Sequence, residues 1–266
     1  MSETPPPPPP PDTTGDATTG VDGPDATPLR NVASECFATV LLMLAGPGLI
    51  VLTAGRVDTL AVALSFGAAL AIAIGVIGAV ANPALSLALL LVREISGREL
   101  LGDWIGQFAG GVIGAALIWG INDQTRAAVG STGWDAGGFS ELGSVVAAEL
   151  VFTIVLIVVF LSTISTGLST SAIAAYTGAA SVIGHLVLLG ISGGGMNPAR
   201  SLGSALFSDT DPNALGQVAV FVVVPLGAAV AAVFVWLAID DAEVDDTIFD
   251  ETIVDRVADR VDGTRD

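Results

Sequence analysis

The stretch Gly78-Ala79-Val80-Ala81-Asn82-Pro83-Ala84 decides the fold, because its final triplet returns as Asn197-Pro198-Ala199 in the second half of the chain. Each triplet opens a short apolar segment. Each also lies at nearly the same distance after a Glu-x-x-x-Thr pair, which starts at Glu35 in the first half and at Glu149 in the second. A duplicated half-unit with an interrupted apolar segment in each copy is typical of membrane transport proteins whose site lies at the middle of the bilayer.

The composition indicates an integral membrane protein. Hydrophobic residues make up 52% of the 266 residues and charged residues only 14%, whereas about 25% charged residues are usual in a soluble domain. Most acidic residues lie in two tails, residues 1–30 and 240–266, so the net charge of −18 belongs mainly to the tails. A chain with this charge is not expected to bind nucleic acid.

Both tails have a recognisable composition. Residues 1–30 are proline-rich, and we predict that they are disordered or extended. In the C-terminal tail Phe249, Ile253, Val257 and Val261 recur every four residues, which predicts a short amphipathic helix.

All nine basic residues of the chain are arginine. Acidic, lysine-free surfaces are similar to those of proteins from a high-salt cytoplasm, where salt screens like-charge repulsion.

Six segments are long and apolar enough to cross the hydrocarbon, which takes about 20 residues. They are residues 33–54, 59–80, 101–121, 143–165, 172–190 and 216–239. Two further apolar segments, 83–92 and 198–207, would reach only about 15 Å as helices, so we predict that they are half-helices. The predicted fold is an all-α membrane domain over residues 31–239.

The two halves of this domain, about 31–121 and 143–239, each contain three spans and one half-helix. Because three is an odd number, the second half must be inserted upside down relative to the first. The half-helices then enter from opposite faces and meet with their N-termini at the middle of the membrane. Backbone that stops there is tolerated only where protein or a water-filled cavity surrounds it.

The Asn-Pro order has a physical basis at the start of a helix. Asn is a favoured N-cap, since its side-chain oxygen accepts a first-turn N–H, and Pro suits the next position, where its missing N–H has no partner anyway. We therefore predict that Asn82 and Asn197 cap the half-helices and that Pro83 and Pro198 follow. Their free amide donors, together with the positive helix ends, favour the oxygen of a neutral molecule and disfavour a cation.

Across roughly residues 30–239 the chain resembles the aquaporin, or major intrinsic protein, family. The matching motifs are Glu35-Cys36-Phe37-Ala38-Thr39, residues 78–84, Gln107 with Gly110 and Gly114, Glu149 with Thr153, residues 196–201 and Pro225-Leu226-Gly227. The resemblance implies a homotetramer whose protomers each have a pore, set in the lipid bilayer of the plasma membrane. It implies no cofactor, no metal and no enzymatic activity. A small arginine excess on the side of the tails favours cytoplasmic termini.

The resemblance also implies roles for particular residues. Arg200 would form part of a narrow filter, in agreement with the rule that ionisable residues inside a membrane are usually functional. His185 has the spacing of the filter histidine in water-selective members. Glu35 and Glu149 would hold the two loops by accepting backbone N–H groups.

Two expected filter positions depart from the family pattern. Gly194 stands where Thr or Cys is frequent, so only its carbonyl could line the filter. Val62 or Ala63 stands where water-selective members often have Phe, with Phe66 about one turn away. Such small groups would widen the filter.

We therefore predict a passive water channel driven by osmotic gradients, with a channel for glycerol or other small neutral solutes as the alternative. Ser201 favours water, because glycerol-conducting relatives typically have Asp there. Two other classes are weaker. The sequence Gly190-Ile191-Ser192-Gly193 resembles an intramembrane serine protease motif, but His185 would lie about 10 Å away along one helix, beyond the reach of a general base. A secondary transporter should carry ion-coordinating acids beside Asn82 and Asn197, and the sequence has none there.

Overall fold

The computed structural model describes residues 28–122, 130–135, 139–240 and 247–248. Within these ranges it contains no strand, and six helices are long and apolar enough to cross a membrane. The first to sixth spans are Leu29–Leu52, Thr59–Ile77, Gly97–Ile121, Leu142–Ser165, Thr170–Ile191 and Ala214–Ile239. The first half-helix is Pro83–Leu91 and the second is Pro198–Phe207.

The predicted fold class is confirmed: six spans and two re-entrant half-helices form an inverted repeat. The half-helices, predicted at 83–92 and 198–207, lie within one residue of those bounds. The ends at Leu29 and Ile239 share one face, which we call the tail face. The opposite face, which carries residues 130–135, is called the loop face. The first half-helix runs from the centre toward the tail face and the second runs toward the loop face.

Side-chain caps fix where several helices begin. Asp58 accepts the Ala61 N–H at 2.8 Å ahead of the second span. Ser96 and Glu99 form a capping box ahead of the third span, in which each side chain accepts the backbone N–H of the other. Such caps satisfy donors that the first turn of a helix leaves free, so the polar residues between spans set the helix boundaries.

The first two spans contain π-helical turns that the sequence analysis did not predict. The first span is α-helical over Pro28–Met43, π-helical over Leu44–Gly48 and α-helical again over Leu49–Leu52. Pro47 lies inside this turn and cannot donate the N–H that an α-helix needs. The second span is α-helical over Thr59–Ile72 and ends in a π-turn over Ala73–Ile77, earlier than the predicted residue 80.

Glycines allow the helices to approach closely. A Cβ built on Gly110 of the third span would lie 2.4 Å from the Cys36 carbonyl oxygen of the first span. A Cβ on Gly203 of the second half-helix would lie 2.2 Å from the Gly111 carbonyl oxygen. In lipid, such contacts between small residues are a main source of helix association. They fix the position of the second half-helix against the third span.

Most of the two tails lies outside the described residues, including residues 1–27 and the predicted stripe from Phe249 onward. The helix of the first span begins at Pro28, within the predicted tail boundary. Three residues of the C-terminal tail are described, namely Asp240, Thr247 and Ile248. Ile248 donates its N–H to the Leu91 carbonyl at 2.8 Å, at the end of the first half-helix, and Thr247 is fully buried.

Candidate functional site

The two half-helices meet at the middle of the protein through their capping asparagines. The Asn82 side-chain oxygen accepts the Ala84 N–H at 3.0 Å, and the Asn197 oxygen accepts the N–H groups of Ala199 and Arg200 at 3.0 and 3.1 Å. Both are therefore N-caps followed by Pro83 and Pro198 at the first helical position. This is the geometry that the Asn-Pro order predicted.

Each asparagine also binds the opposite half. Asn82 Nδ2 donates to the Met196 carbonyl at 3.0 Å, and Asn197 Nδ2 donates to the Ala81 carbonyl at 2.7 Å. Because an amide nitrogen carries two hydrogens, each Asn retains one further donor. The sequence analysis did not predict these cross-half bonds.

Glu35 holds the loop that leads into the first half-helix. Its two carboxylate oxygens accept the N–H groups of Val80 and Ala81, both at 2.8 Å. Gln107 of the third span donates to the same carboxylate at 2.9 Å and to the Ser86 hydroxyl at 2.8 Å. The carboxylate, which is almost fully buried, therefore has several charge-assisted hydrogen bonds.

Glu149 has the equivalent place in the second half. It accepts the N–H groups of Gly195 and Met196 at 2.8 and 2.7 Å, and the Ser192 hydroxyl also donates to it. A Cβ on Gly195 would lie 2.6 Å from a Glu149 oxygen. The carboxylate thus lies so close to the loop backbone that only glycine fits there.

Arg200 is fully buried on the first turn of the second half-helix. Its Nη2 donates to the Gly193 carbonyl at 2.9 Å. Arg200 Nε and Nη1 make no hydrogen bond to any described residue. A buried guanidinium with two such donors can bind a polar molecule that passes it.

An aromatic pair lies beside this guanidinium. The Phe66 and His185 rings stack with centroids 3.8 Å apart, and Arg200 Cζ lies 5.7 Å from the Phe66 centroid, within cation–π range. His185 Nδ1 lies 2.8 Å from the Ser181 carbonyl, which only accepts, so Nδ1 carries the proton. Nε2 of a neutral imidazole is then an acceptor. We call Phe66, His185 and Arg200 the Arg200 cluster.

The ring that stacks on His185 belongs to Phe66, while the lining of the filter by Val62 stays a prediction. Val62 is buried one turn away in the apolar cluster that also contains Phe66. Both residues lie in the α-helical part of the second span, ahead of the π-turn. An aromatic side chain from the second span is therefore present beside His185.

Gly194 lies against His185. A Cβ on Gly194 would come within 2.9 Å of His185 Cδ2, and the residue has φ +75°, a conformation that favours glycine. The carbonyl that binds Arg200 belongs to Gly193, one residue earlier. The lining of the filter by the Gly194 carbonyl therefore stays a prediction.

Three cavities lie at the loop face, the centre and the tail face of the described part of the protein. A cavity of about 520 Å³ on the loop face reaches Gly193 and is also lined by Thr132, Asp209 and Gln217. A central cavity of about 10 Å³ lies between His185 and the two capping asparagines. A third of about 710 Å³ opens beside Glu35 on the tail face. The smallest of these three cavities is the central one, which Phe66 and His185 of the Arg200 cluster line together with both asparagines. We call this cavity and the surroundings of Arg200 the constriction.

The protease hypothesis has no support in this geometry. The Ser192 hydroxyl donates to Glu149 and lies 3.2 Å from the Leu188 carbonyl oxygen, while His185 Nδ1 is directed to Ser181. Nucleophile and base are therefore engaged with different partners. Among the described residues no cluster of His, Cys, Asp and Glu side chains could hold a metal ion.

Comparisons with known proteins agree with this architecture. Residues 24–236 match the family model described as major intrinsic protein. The chain is 34% identical to aquaporin Z of Brucella melitensis, over 78% of this chain and 96% of that protein. It is 28% identical to glycerol uptake facilitator protein-like 6 of Lactiplantibacillus plantarum, over 77% and 96% respectively.

A solved structure shares the fold. The aquaglyceroporin from Plasmodium falciparum superposes with a TM-score of 0.66 at 22% identity, over 78% of this chain and 95% of that one. At this identity the superposition shows a shared fold and nothing about function. The family match covers most of the chain, and the Brucella relative exceeds 30% identity over nearly its whole length. The chain therefore belongs to the major intrinsic protein family of membrane channels.

Proposed function

We propose that this protein is a passive water channel, driven by osmotic gradients and closed to ions and protons. The observation that carries the proposal is the size of the central cavity, about 10 Å³. That is close to the space that a single water molecule requires. Polyols such as glycerol are several times larger, so they would have to displace the surrounding side chains.

The polar groups around the constriction suit water. Arg200 Nε and Nη1 are donors and His185 Nε2 is an acceptor, and none of these atoms bonds to another described residue. A water molecule donates and accepts, so it can replace the hydrogen bonds that it loses on leaving bulk water. The apolar walls, formed by Leu42, Leu70 and Leu156 among others, keep the number of such bonds small.

Exclusion of ions follows from the charges at the centre. Two half-helices direct their N-termini toward the middle, each equivalent to about half a positive charge, and Arg200 adds a full one. A cation that enters would lose its hydration and meet positive potential, which is how such channels exclude protons and cations. Asn82 and Asn197 each keep a donor, so a water between them is oriented with its oxygen toward both amides.

Glycerol conduction is the second candidate, and one observation favours it. Gly194 has no side chain at a position beside His185, so this corner of the constriction is lined by backbone. A relative named as a glycerol uptake facilitator covers the same part of the chain. We place this candidate second because Phe66 and His185 stack closely next to Arg200.

The remaining features of the proposal follow from the family and the composition. The channel would be a homotetramer in the plasma membrane, with one pore in each protomer and the tail face in the cytoplasm. The lysine-free, acidic sequence fits a high-salt cytoplasm. Crosslinking of the purified protein in detergent would test the tetramer, since it should give a ladder that ends at four chains.

Stopped-flow light scattering of proteoliposomes tests the function itself. Under a sucrose gradient, vesicles with the protein should shrink faster than empty vesicles of the same lipid. Under a glycerol gradient, the later re-swelling should match that of the empty vesicles. Fast re-swelling would favour the second candidate, and slow shrinkage would contradict both.

A further inference from the structure

We propose that Gln217 is a positioning residue of the constriction, which sets the orientation of Arg200 through residues 130–135. This segment lies on the loop face and is called the cover segment. The inference rests on the proposed function, because it concerns which solutes pass the Arg200 cluster. Gln217 itself touches neither the central cavity nor the guanidinium in the described contacts.

Gln217 holds the cover segment against the sixth span through two hydrogen bonds to Trp134, which we call the clamp. Its Oε1 accepts the Trp134 N–H at 2.9 Å, and its Nε2 donates to the Trp134 carbonyl at 2.9 Å. One side-chain amide thus satisfies both backbone groups of one residue, as a neighbouring β-strand would. Gln217 is nearly buried, and the Trp134 ring packs against Phe221 one turn further along the same span.

The clamped segment lies directly on Gly193. Gly133 donates its N–H to the Ser192 carbonyl at 3.0 Å. A Cβ built on Gly193 would lie 2.8 Å from the Ser131 carbonyl oxygen and 3.0 Å from the Phe139 ring. Gly193 is therefore covered from the loop face by the cover segment and by Phe139, with no space for even one added carbon.

The conformation of Gly193 determines where its carbonyl points. The residue has φ +84°, a left-handed conformation that a glycine can also leave easily. Its carbonyl accepts from Arg200 Nη2 at 2.9 Å, the hydrogen bond that fixes the guanidinium of Arg200. A path of hydrogen bonds and chain neighbours therefore leads from Gln217 through Trp134 and Gly133 to the Ser192 carbonyl, and from the adjoining Gly193 to Arg200.

Release of the cover segment would let this carbonyl rotate and the guanidinium follow. The Arg200 charge would remain in the protein, but its distance from Phe66 would no longer be fixed at one value. Water, which is small, would pass a wider opening nearly as before. Larger neutral solutes would gain the most, so the clamp controls selectivity more than the rate of water flow.

Two substitutions break the clamp from opposite sides. Gln217→Met keeps the length of the side chain and removes both hydrogen bonds. Gly133→Ala leaves Gln217 in place but introduces a Cβ that would lie 2.7 Å from its Oε1, which pushes the two apart. Asn213→Ala is the matched control, because it removes the N-cap of the same span, where Asn213 accepts the Gly216 N–H, without touching the cover segment.

Hydrogen exchange followed by mass spectrometry reports on the clamp directly. We expect the peptide containing residues 130–135 to exchange at least about fivefold faster in both clamp variants, which corresponds to the loss of about one net hydrogen bond. Asn213→Ala should leave that peptide unchanged and speed exchange only at the start of the sixth span. Unchanged exchange of residues 130–135 in Gln217→Met would overturn the clamp.

The permeability of the same variants in proteoliposomes reports on selectivity. The ratio of glycerol to water permeability should rise about threefold or more in both clamp variants, a smaller barrier change than one net hydrogen bond, while Asn213→Ala keeps the wild-type ratio. Faster exchange with an unchanged ratio would show that the cover segment does not act on Arg200. A wild-type protein that conducts no water contradicts the proposed function instead, and the exchange result still decides the clamp.

Discussion

Ala81 and Met196 have the same left-handed backbone conformation, with φ values of 50° and 49°, and each gives its carbonyl to the asparagine of the opposite half. Their N–H groups are bound as well, by Glu35 and by Glu149. A non-glycine residue in this region costs of order 1 kcal/mol or more. These hydrogen bonds to the asparagines and the glutamates hold both residues in that conformation. They also fix the two loops to each other and to the spans that carry Glu35 and Glu149.

This bonding pattern predicts that Asn82 stabilises the protein both as a helix cap and through its bond to the Met196 carbonyl. Asn82→Ala should lower water permeability and should lower the free energy of unfolding by more than the roughly 1 kcal/mol of a lost cap, because the bond to Met196 is lost too. Asn213→Ala, which removes a cap alone, is the control. Thermal unfolding followed by circular dichroism compares the two, and equal losses would show that the cross-half bond contributes nothing.

Glu149 should tolerate even a conservative change poorly. In Glu149→Gln the new NH2 group would face the Gly195 or Met196 N–H, leaving a buried donor without an acceptor at a cost of about 1–3 kcal/mol. Ser192→Ala removes only one donor to the same carboxylate and should cost less. Yield and melting temperature in detergent should therefore rank wild type above Ser192→Ala, and Ser192→Ala above Glu149→Gln. The reverse order of the two variants would contradict the role given to the carboxylate.

Phe66 and Val62 should differ clearly in their effect on selectivity. Phe66→Ala removes the ring that stacks on His185 and should admit glycerol, since a cavity replaces the aromatic wall. Val62→Ala removes two methyl groups in the apolar cluster behind it and should leave glycerol uptake near the wild-type value. Uptake of glycerol by Val62→Ala, with none by Phe66→Ala, would restore the assignment made from sequence spacing.

Gly46 should be needed for the position of the Phe66 ring. A Cβ on Gly46 would lie 2.2 Å from Phe66 Cε1, so Gly46→Ala must push the ring out of place. Gly120→Ala, where an added Cβ meets nothing within 4 Å, is the control and should be neutral or slightly stabilising in a helix. We expect altered water permeability in Gly46→Ala only, measured per channel after quantitative immunoblotting.

The sequence predicted those features that depend on residue type and spacing. The length of the apolar segments predicted the six spans, and the short segments at 83–92 and 198–207 predicted the half-helices. The Asn-Pro order predicted the caps. The role of Glu35 and Glu149 as acceptors was implied by the family resemblance, and it agrees with the need of a carboxylate inside an apolar helix for donors.

Features carried by the backbone could not be predicted in this way. The Gly193 carbonyl binds Arg200, yet any residue type has a carbonyl, so no signal in the sequence marks it. The ring that stacks on His185 belongs to Phe66, one turn from Val62, and sequence spacing alone does not decide between neighbouring turns of one helix. The sequence analysis did not identify Gln217, because its partner is the backbone of Trp134, which is far away in the sequence.

The selectivity of Arg200→Val compared with the wild type tests the central claim most directly. In stopped-flow experiments on proteoliposomes with equal amounts of each protein, the wild type should conduct water and exclude glycerol. Arg200→Val should conduct both, because the buried guanidinium no longer narrows the path beside Phe66 and His185. Glycerol permeability that is the same in the two proteins would show that the constriction lies elsewhere, and would contradict the account.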